Sequence, residues 1–206
     1  LIQFQSVQRK TQDNGKPILR SHIFTWNRSS DRGLPSPAAR DADVVFYFGS
    51  RGALSDRTLF NSLREVFPKA NLMGCSTGGQ IGGSGLSAEP IVGLALSLER
   101  SRVRVSRQPI SRPEDSFAVG ACLGNDLNAP DLAGVVVLTD GLKVNGGDLA
   151  AGLASIIPSE IPVAGGMAGD DNRFESTLVG ASCSPSPGVV TAVGFYGEHI
   201  SLRASH

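Results

Sequence analysis

Apolar residues fall along this chain in a pattern that switches between strand and helix and then starts again. Between Asp43 and Ser50 the run DVVFYFGS is almost continuously apolar, which predicts a strand buried on both faces of a parallel or mixed sheet and ending at Gly49 and Ser50. From Ser55 the spacing changes. Leu59, Phe60, Leu63 and Phe67 recur at helical intervals, with Ser55 or Asp56 as N-cap and Pro68 as the stop. NLMGCST then predicts a short strand running into the glycine-rich GGQIGGSG, and PIVGLALSL a further buried strand. Upstream, SHIFTW from Ser21 to Trp26 reads as a strand. The segment NRSSDRGLPSPAARDA, with Gly33, Pro35 and Pro37, reads as a loop.

The same order recurs in the second half. Gly134, which opens GVVVLTDG, stands 91 positions after Asp43, and Gly165 stands 91 after Gly74. GDLAAGLASIIP, between Gly147 and Pro158, matches the first helix and its terminal proline, and PVAGGMAGDD matches NLMGCSTGG. GVVTAVGFYG mirrors PIVGLALSL but lies 98 positions along, so the second copy carries a connection about seven residues longer, an insertion that a surface loop tolerates. Between the copies, RVRVS predicts a strand. EDSFAVGACLGNDL predicts a helix whose Phe117, Val119, Ala121 and Leu123 are only loosely in phase. The fold expected is α/β: two similar β-α-β-β repeats, about 43–98 and 134–197, form mixed, largely parallel sheets packed with helices. A layered αββα stack is one way to arrange them.

Charge and cysteine usage narrow the functional classes. Lys plus Arg and Asp plus Glu number 19 each, so there is no net field to gather a phosphate backbone or an anionic membrane, and nucleic acid is not an expected partner. The basic stretch RSRVRVSR from Arg100 to Arg107 alternates as a strand with one wet face does. Cys75, Cys122 and Cys183 are odd in number and lack metal-ligand spacing, which points to a reducing, cytoplasmic compartment without a disulfide framework or zinc site. No apolar run reaches the roughly 18 residues of a membrane span, so membrane insertion is not expected. A start at Leu1 and an end at SLRASH read as a piece of a longer polypeptide.

The buried strand, the helix ending in Pro, LMGCSTGGQI, VGLALS, VVVLTDG and finally IPVAGGMAGDD with GFYG together resemble the N-terminal domain of FIST proteins. The similarity covers most of residues 20–206, leaving 1–19 as an N-terminal extension. It implies a sensory role in intracellular signal transduction, with binding of small ligands such as amino acids. It also implies a C-terminal FIST domain after this one and a downstream module such as a kinase or receptor. Some relatives are haem-containing sensors of nitric oxide, so the resemblance leaves haem open as a cofactor.

The ligand residues follow from the sequence itself. In open α/β sheets ligands collect beyond the carboxyl ends of strands, where loops diverge. Those ends here supply Ser50 and Arg51; Cys75, Ser76 and Thr77; Asp140; and Gly166, Asp170 and Asp171. Glycines allow close approach, hydroxyls and carboxylates give directed hydrogen bonds, and an arginine facing carboxylates suits the two charged ends of an amino acid. The plain alternative is that these residues make turns and caps. A phosphate loop is not expected, because no Lys-Ser/Thr follows the glycines. Haem would need an axial ligand, for which His22, His199, Cys75 and Met167 are candidates and His22, among aromatic neighbours, the first. Two other classes compete with a non-catalytic sensory domain. One is a hydrolase or acyltransferase using Cys75 or Ser76, which needs a base in contact. The other is a scaffold docking a partner through residues 27–42, with Leu34, Pro35 and Pro37 as its face.

Overall fold

The structure is a computed structural model that describes residues 2–6, 19–26, 40–82, 85–86 and 91–204. The loop expected over 27–42 therefore lies almost wholly outside the described residues. In chain order the elements are β1 (Ile2–Ser6), β2 (Leu19–Trp26), β3 (Val44–Gly49), α1 (Arg51–Ser55), α2 (Arg57–Val66), β4 (Asn71–Ser76), β5 (Ile81–Gly82), β6 (Gly85–Leu86) and β7 (Ile91–Leu98). There follow β8 (Arg102–Pro109), a 3-10 turn at Pro113–Asp115, α3 (Ser116–Leu127), β9 (Leu132–Thr139), α4 (Gly146–Ala154), β10 (Val163–Met167), β11 (Val179–Ala181), β12 (Val189–Tyr196) and β13 (Ile200–Ala204).

Two sheets carry the fold, in the orders β11-β4-β3-β7-β2 and β10-β9-β12-β8. The repeat is visible in these orders, because β4, β3, β7 and β2 correspond to β10, β9, β12 and β8. Side-chain alternation along the central strands then decides the layering. Val44, Phe46, Met73 and Leu96 of one sheet meet Val136, Leu138, Val193 and Phe195 of the other in one buried cluster. The opposite faces carry Val45, Tyr47 and Leu72 against Leu59, Leu63 and Phe67 of the first helical layer. They also carry Val135, Val137 and Val190 against Leu123, Leu127, Leu149 and Leu153 of α3 and α4. The result is the four-layer αββα stack. Only β3–β4 and β9–β10 pair in parallel among the described strands, while β2–β7, β3–β7, β9–β12, β8–β12 and β4–β11 are antiparallel. The sheets are thus mixed, as expected, but less parallel, because each repeat holds a single crossover helix region and returns by hairpins.

Local differences have local causes. Between β3 and the helix expected from Ser55 lies a further short helix, α1: the Ser50 hydroxyl accepts from Ala53 N at 3.2 Å and Leu54 is buried. Asp56 then caps α2, its carboxylate accepting from Thr58 N at 2.9 Å, as the sequence indicates. The buried face of α3 is Ser116, Val119, Gly120, Leu123, Gly124 and Leu127, with Phe117 half exposed, so the helix is in phase once glycine counts as a core residue. A Cβ on Gly120 would collide with the Leu149 carbonyl, and one on Gly152 with the Phe117 carbonyl, so these glycines let the α3 and α4 backbones touch. The longer connection of the second copy holds β11, which crosses to the other sheet and pairs with β4 (Val179 with Cys75, Gly180 with Gly74, Ala181 with Met73). None of the described helices is long and apolar enough to cross a membrane.

Candidate functional site

The carboxyl ends of β3, β4, β9 and β10 converge. Thr77 N donates to Gly49 O at 2.9 Å, Gly169 N to Ser76 O at 2.8 Å, and Ala168 N to Thr139 O at 2.8 Å, so the loops of the two repeats are tied backbone to backbone. Within this junction the fully buried Ser76 hydroxyl donates to Gly169 O at 2.8 Å and accepts from Leu178 N at 3.0 Å. Thr77 accepts a hydrogen bond from the Gln80 side chain at 3.1 Å.

Arg51, at the first position of α1, reaches across to the second repeat. Its Nε lies 3.0 Å from Asp170 Oδ1 and its Nη2 lies 2.8 Å from Glu175 Oε2. The other Asp170 oxygen accepts from Glu175 N at 3.2 Å and Ser176 N at 3.1 Å. Burial works to raise the Asp170 carboxyl, but the amides of Ser176 and Glu175, together with the charge of Arg51, outweigh it and hold the group below the usual carboxylate range. Asp171 follows with φ 50°, in the left-handed region that Asp tolerates better than most residues, and is exposed.

Asp140 closes a second knot. It is 1% exposed, and its carboxylate accepts from Leu142 N at 2.8 Å, Lys143 N at 3.0 Å and Gly188 N at 2.7 Å. Gly141 N next to it donates to Thr177 Oγ1 at 2.9 Å. The structure therefore brings Ser50, Arg51, Ser76, Thr77, Asp170 and Asp171 to one end of the molecule, with Asp140 tied in through Thr177. Their polar groups are largely engaged with one another and with backbone. Cys75 is buried between the two sheets, 3% exposed, and burial pushes its thiol up to about 12. Neither it nor the doubly bonded Ser76 presents a nucleophile to solvent.

Space for a ligand lies elsewhere. A cavity of about 540 Å³ runs between α4 and β10, with Leu149, Leu153, Ile157, Ile161, Val163 and Met167 on its lining. Its size falls in the roughly 300–1,000 Å³ range of small-molecule sites. It carries no charged residue; Thr139 and Ser159 are among its lining residues, and the Thr139 hydroxyl donates to Asp140 O at 3.0 Å. Of the residues singled out from the sequence at the strand ends, Gly166 lines it. A smaller cavity of about 320 Å³ lies between the sheets, walled by Phe46, Phe48, Leu94, Val136 and Leu138. Gly165 and Gly166 border both, so a stretch of β10 without side chains is all that separates them.

Sequence reasoning missed this apolar site because it searched for polar groups at strand ends. The signal available was the composition of β10 itself, VAGGM, whose small residues do not match the bulky apolar strands around it. It also missed Glu175 and Thr177, which only a tertiary turn brings to Arg51 and Gly141. His22 is half-buried on β2, on the same face as the core residues Phe24 and Trp26, and lines neither apolar cavity. Among the described residues no three His, Cys, Asp or Glu side chains cluster to hold a metal ion.

A family model described as FIST N domain matches residues 43–206. No curated protein matches the chain.

Proposed function

This chain belongs to the FIST N domain family, a family of signal-transduction sensory domains, and on that premise we propose that it senses a small molecule held in the cavity between α4 and β10. The observation that carries the reading is that cavity: about 540 Å³, apolar, and without a charged residue on its lining. Such a lining suits the apolar side chain of an amino acid or a related metabolite, whose charged groups would have to stay at the cavity's open side, in water. The strand-end residues then act one step away. Arg51, Asp170, Ser76 and Asp140 fix the loops that follow β9 and β10, and so fix the cavity's rim. The domain works by binding and not by catalysis, in the cytoplasm. It passes its state to a C-terminal FIST domain and a signalling module such as a kinase or receptor.

A thermal-shift screen of the twenty amino acids, preceded by an absorption spectrum, tests this. A ligand at a hundred times its Kd stabilises the native state by about 2.7 kcal/mol, enough to read as a clear rise in Tm. Ala150→Phe, which fills the cavity from the exposed rim of α4, is expected to abolish that rise. A Soret band would replace the reading with a haem sensor. A rise that survives Ala150→Phe but disappears in Arg51→Ala would move the ligand to the strand-end loops.

A further inference from the structure

We propose that a second copy of this chain pairs with the open edge of β10, antiparallel, about a two-fold axis at Gly165. The internal repeat provides the comparison. On β4 the outward backbone groups belong to Leu72, Gly74 and Ser76, and β11 takes them: Ser76 N donates to Leu178 O at 2.8 Å, Ser182 N donates to Leu72 O at 2.6 Å, and Gly180 stands opposite Gly74. The positions 91 further on are Val163, Gly165 and Met167. On β10 the inward bonds to β9 run through the even-numbered residues, as Pro162 O accepts from Val135 N at 2.9 Å and Ala168 N donates to Thr139 O at 2.8 Å. Parallel pairing therefore leaves the N–H and C=O groups of Val163, Gly165 and Met167 facing outward. Among the described residues no strand lies beyond β10 in its sheet. One repeat has its edge strand and the other has an empty seat.

The chain also shows what such a seat accepts. β11 is an antiparallel strand of small apolar residues, Val-Gly-Ala, laid on a glycine-containing strand. Read antiparallel, β10 itself is such a strand, with Val163, Ala164, Gly165 and Gly166 in sequence. Centring the pair on Gly165 sets Val163 opposite the partner's Met167 and Met167 opposite the partner's Val163. All outward groups of both strands then meet as hydrogen-bonded pairs.

At the other edges of these two sheets, β11 is bridged on its outer side by Ser186, which exchanges backbone hydrogen bonds with Val179 at 3.0 and 3.1 Å, and β2 and β8 carry charge. β2 carries Arg20 and β8 carries Arg102, Arg104 and Arg107, with Pro109 at its end. β10 has no charge, proline or bulge, yet Val163 is 38% exposed and Met167 50%. Beside it α4 offers only Gly146, Ala150 and Ala154 at the rim, which leaves room for an added strand. Pairing would join the two four-stranded sheets into one. It would also wall off the open side of the α4–β10 cavity, a consequence that rests on the ligand reading above, whereas the pairing does not.

Sedimentation of the ligand-free chain across a concentration series tests the pairing. The expected result is a concentration-dependent dimer whose dissociation constant rises at least about tenfold with Met167→Lys, which sets a charge on the seam. It should be unchanged by Ile23→Lys on the exposed edge of β2. In the unsubstituted chain, hydrogen exchange at the amides of Val163, Gly165 and Met167 should slow as concentration rises. A monomer at every concentration, or a dimer weakened by Ile23→Lys and not by Met167→Lys, overturns the proposal. Because neither readout contains a ligand, a failed ligand screen and a failed pairing are told apart.

Discussion

Replacing Asp140 by alanine separates a structural carboxylate from a ligand-binding one. Its two oxygens accept three backbone N–H groups, from Leu142, Lys143 and Gly188, at 2.7 to 3.0 Å, and the residue is 1% exposed. Hydrogen bonds to a charged group contribute about 1.5–3 kcal/mol each, and a donor left buried without a partner costs about 1–3 kcal/mol. Part of that sum is offset because the buried charge itself disappears, so the net loss expected for Asp140→Ala is roughly 3 kcal/mol. With a urea slope of about 2–3 kcal/mol/M this moves the unfolding midpoint down by about 1–1.5 M at unchanged slope. Trp26, the single tryptophan, is buried in the core, so its fluorescence and the far-UV dichroism report independently, and coincident curves validate a two-state reading. Asp140→Asn should fall in between. Its carbonyl oxygen can still serve Leu142 and Lys143, but its amide then faces Gly188 N–H donor to donor. A midpoint shift below about 0.2 M for Asp140→Ala would mean the three bonds hold nothing together, and the reasoning would be wrong.

Other consequences are as direct. In the native protein iodoacetamide should modify the exposed Cys122 and spare Cys75, whose thiolate fraction near neutral pH is about a thousandfold below that of an ordinary thiol; mass spectrometry with and without urea reads the difference. The depressed Asp170 carboxyl contributes stability that is present above the ordinary carboxylate pKa of about 4 and is lost as pH falls from there through its lower folded value. Asp170→Asn should therefore lower Tm at pH 7 and flatten its decline in that acid window, and an unchanged acid limb would refute the coupling. Gly152→Val drives a side chain into the Phe117 carbonyl of α3 and should cost about 3 kcal/mol in urea denaturation, while Ala151→Val on the exposed side of the same helix should cost under about 1 kcal/mol.

The layered architecture was legible because burial and period were written together. DVVFYFGS and GVVVLTDG are apolar on both faces, and a strand of that kind needs cover on each side. What could not be read was which helix residues provide it: Gly120, Gly124 and Gly152 are the contact face of α3 and α4, yet no hydropathy pattern marks glycine as core. β11 was invisible for a similar reason. Three residues carry no period, and their partner lies in the other repeat. Ser50, Arg51, Ser76, Thr77, Asp170 and Asp171 did come to one end while Cys75 and Gly166 did not join them, and the sequence could not tell that Arg51 would find its carboxylates within the chain. That depends on the connection between β10 and β11 bringing Asp170 and Glu175 to Arg51 of α1.

The crossing of β11 also sets an order of events during synthesis. β4 is complete at Ser76, but the strand that covers its edge ends with Ala181, about a hundred residues later, so at 5–20 residues per second that edge waits about 5–20 s. During that interval the nascent first repeat exposes a strand edge containing Gly74, with neighbours on the same ribosome track in the same state. Polysome crowding, slow codons between the repeats, or a truncation before Val179 should therefore favour aggregation. A trigger-type chaperone that shields strand edges should suppress it, although the finished protein no longer shows any edge there for that chaperone to hold.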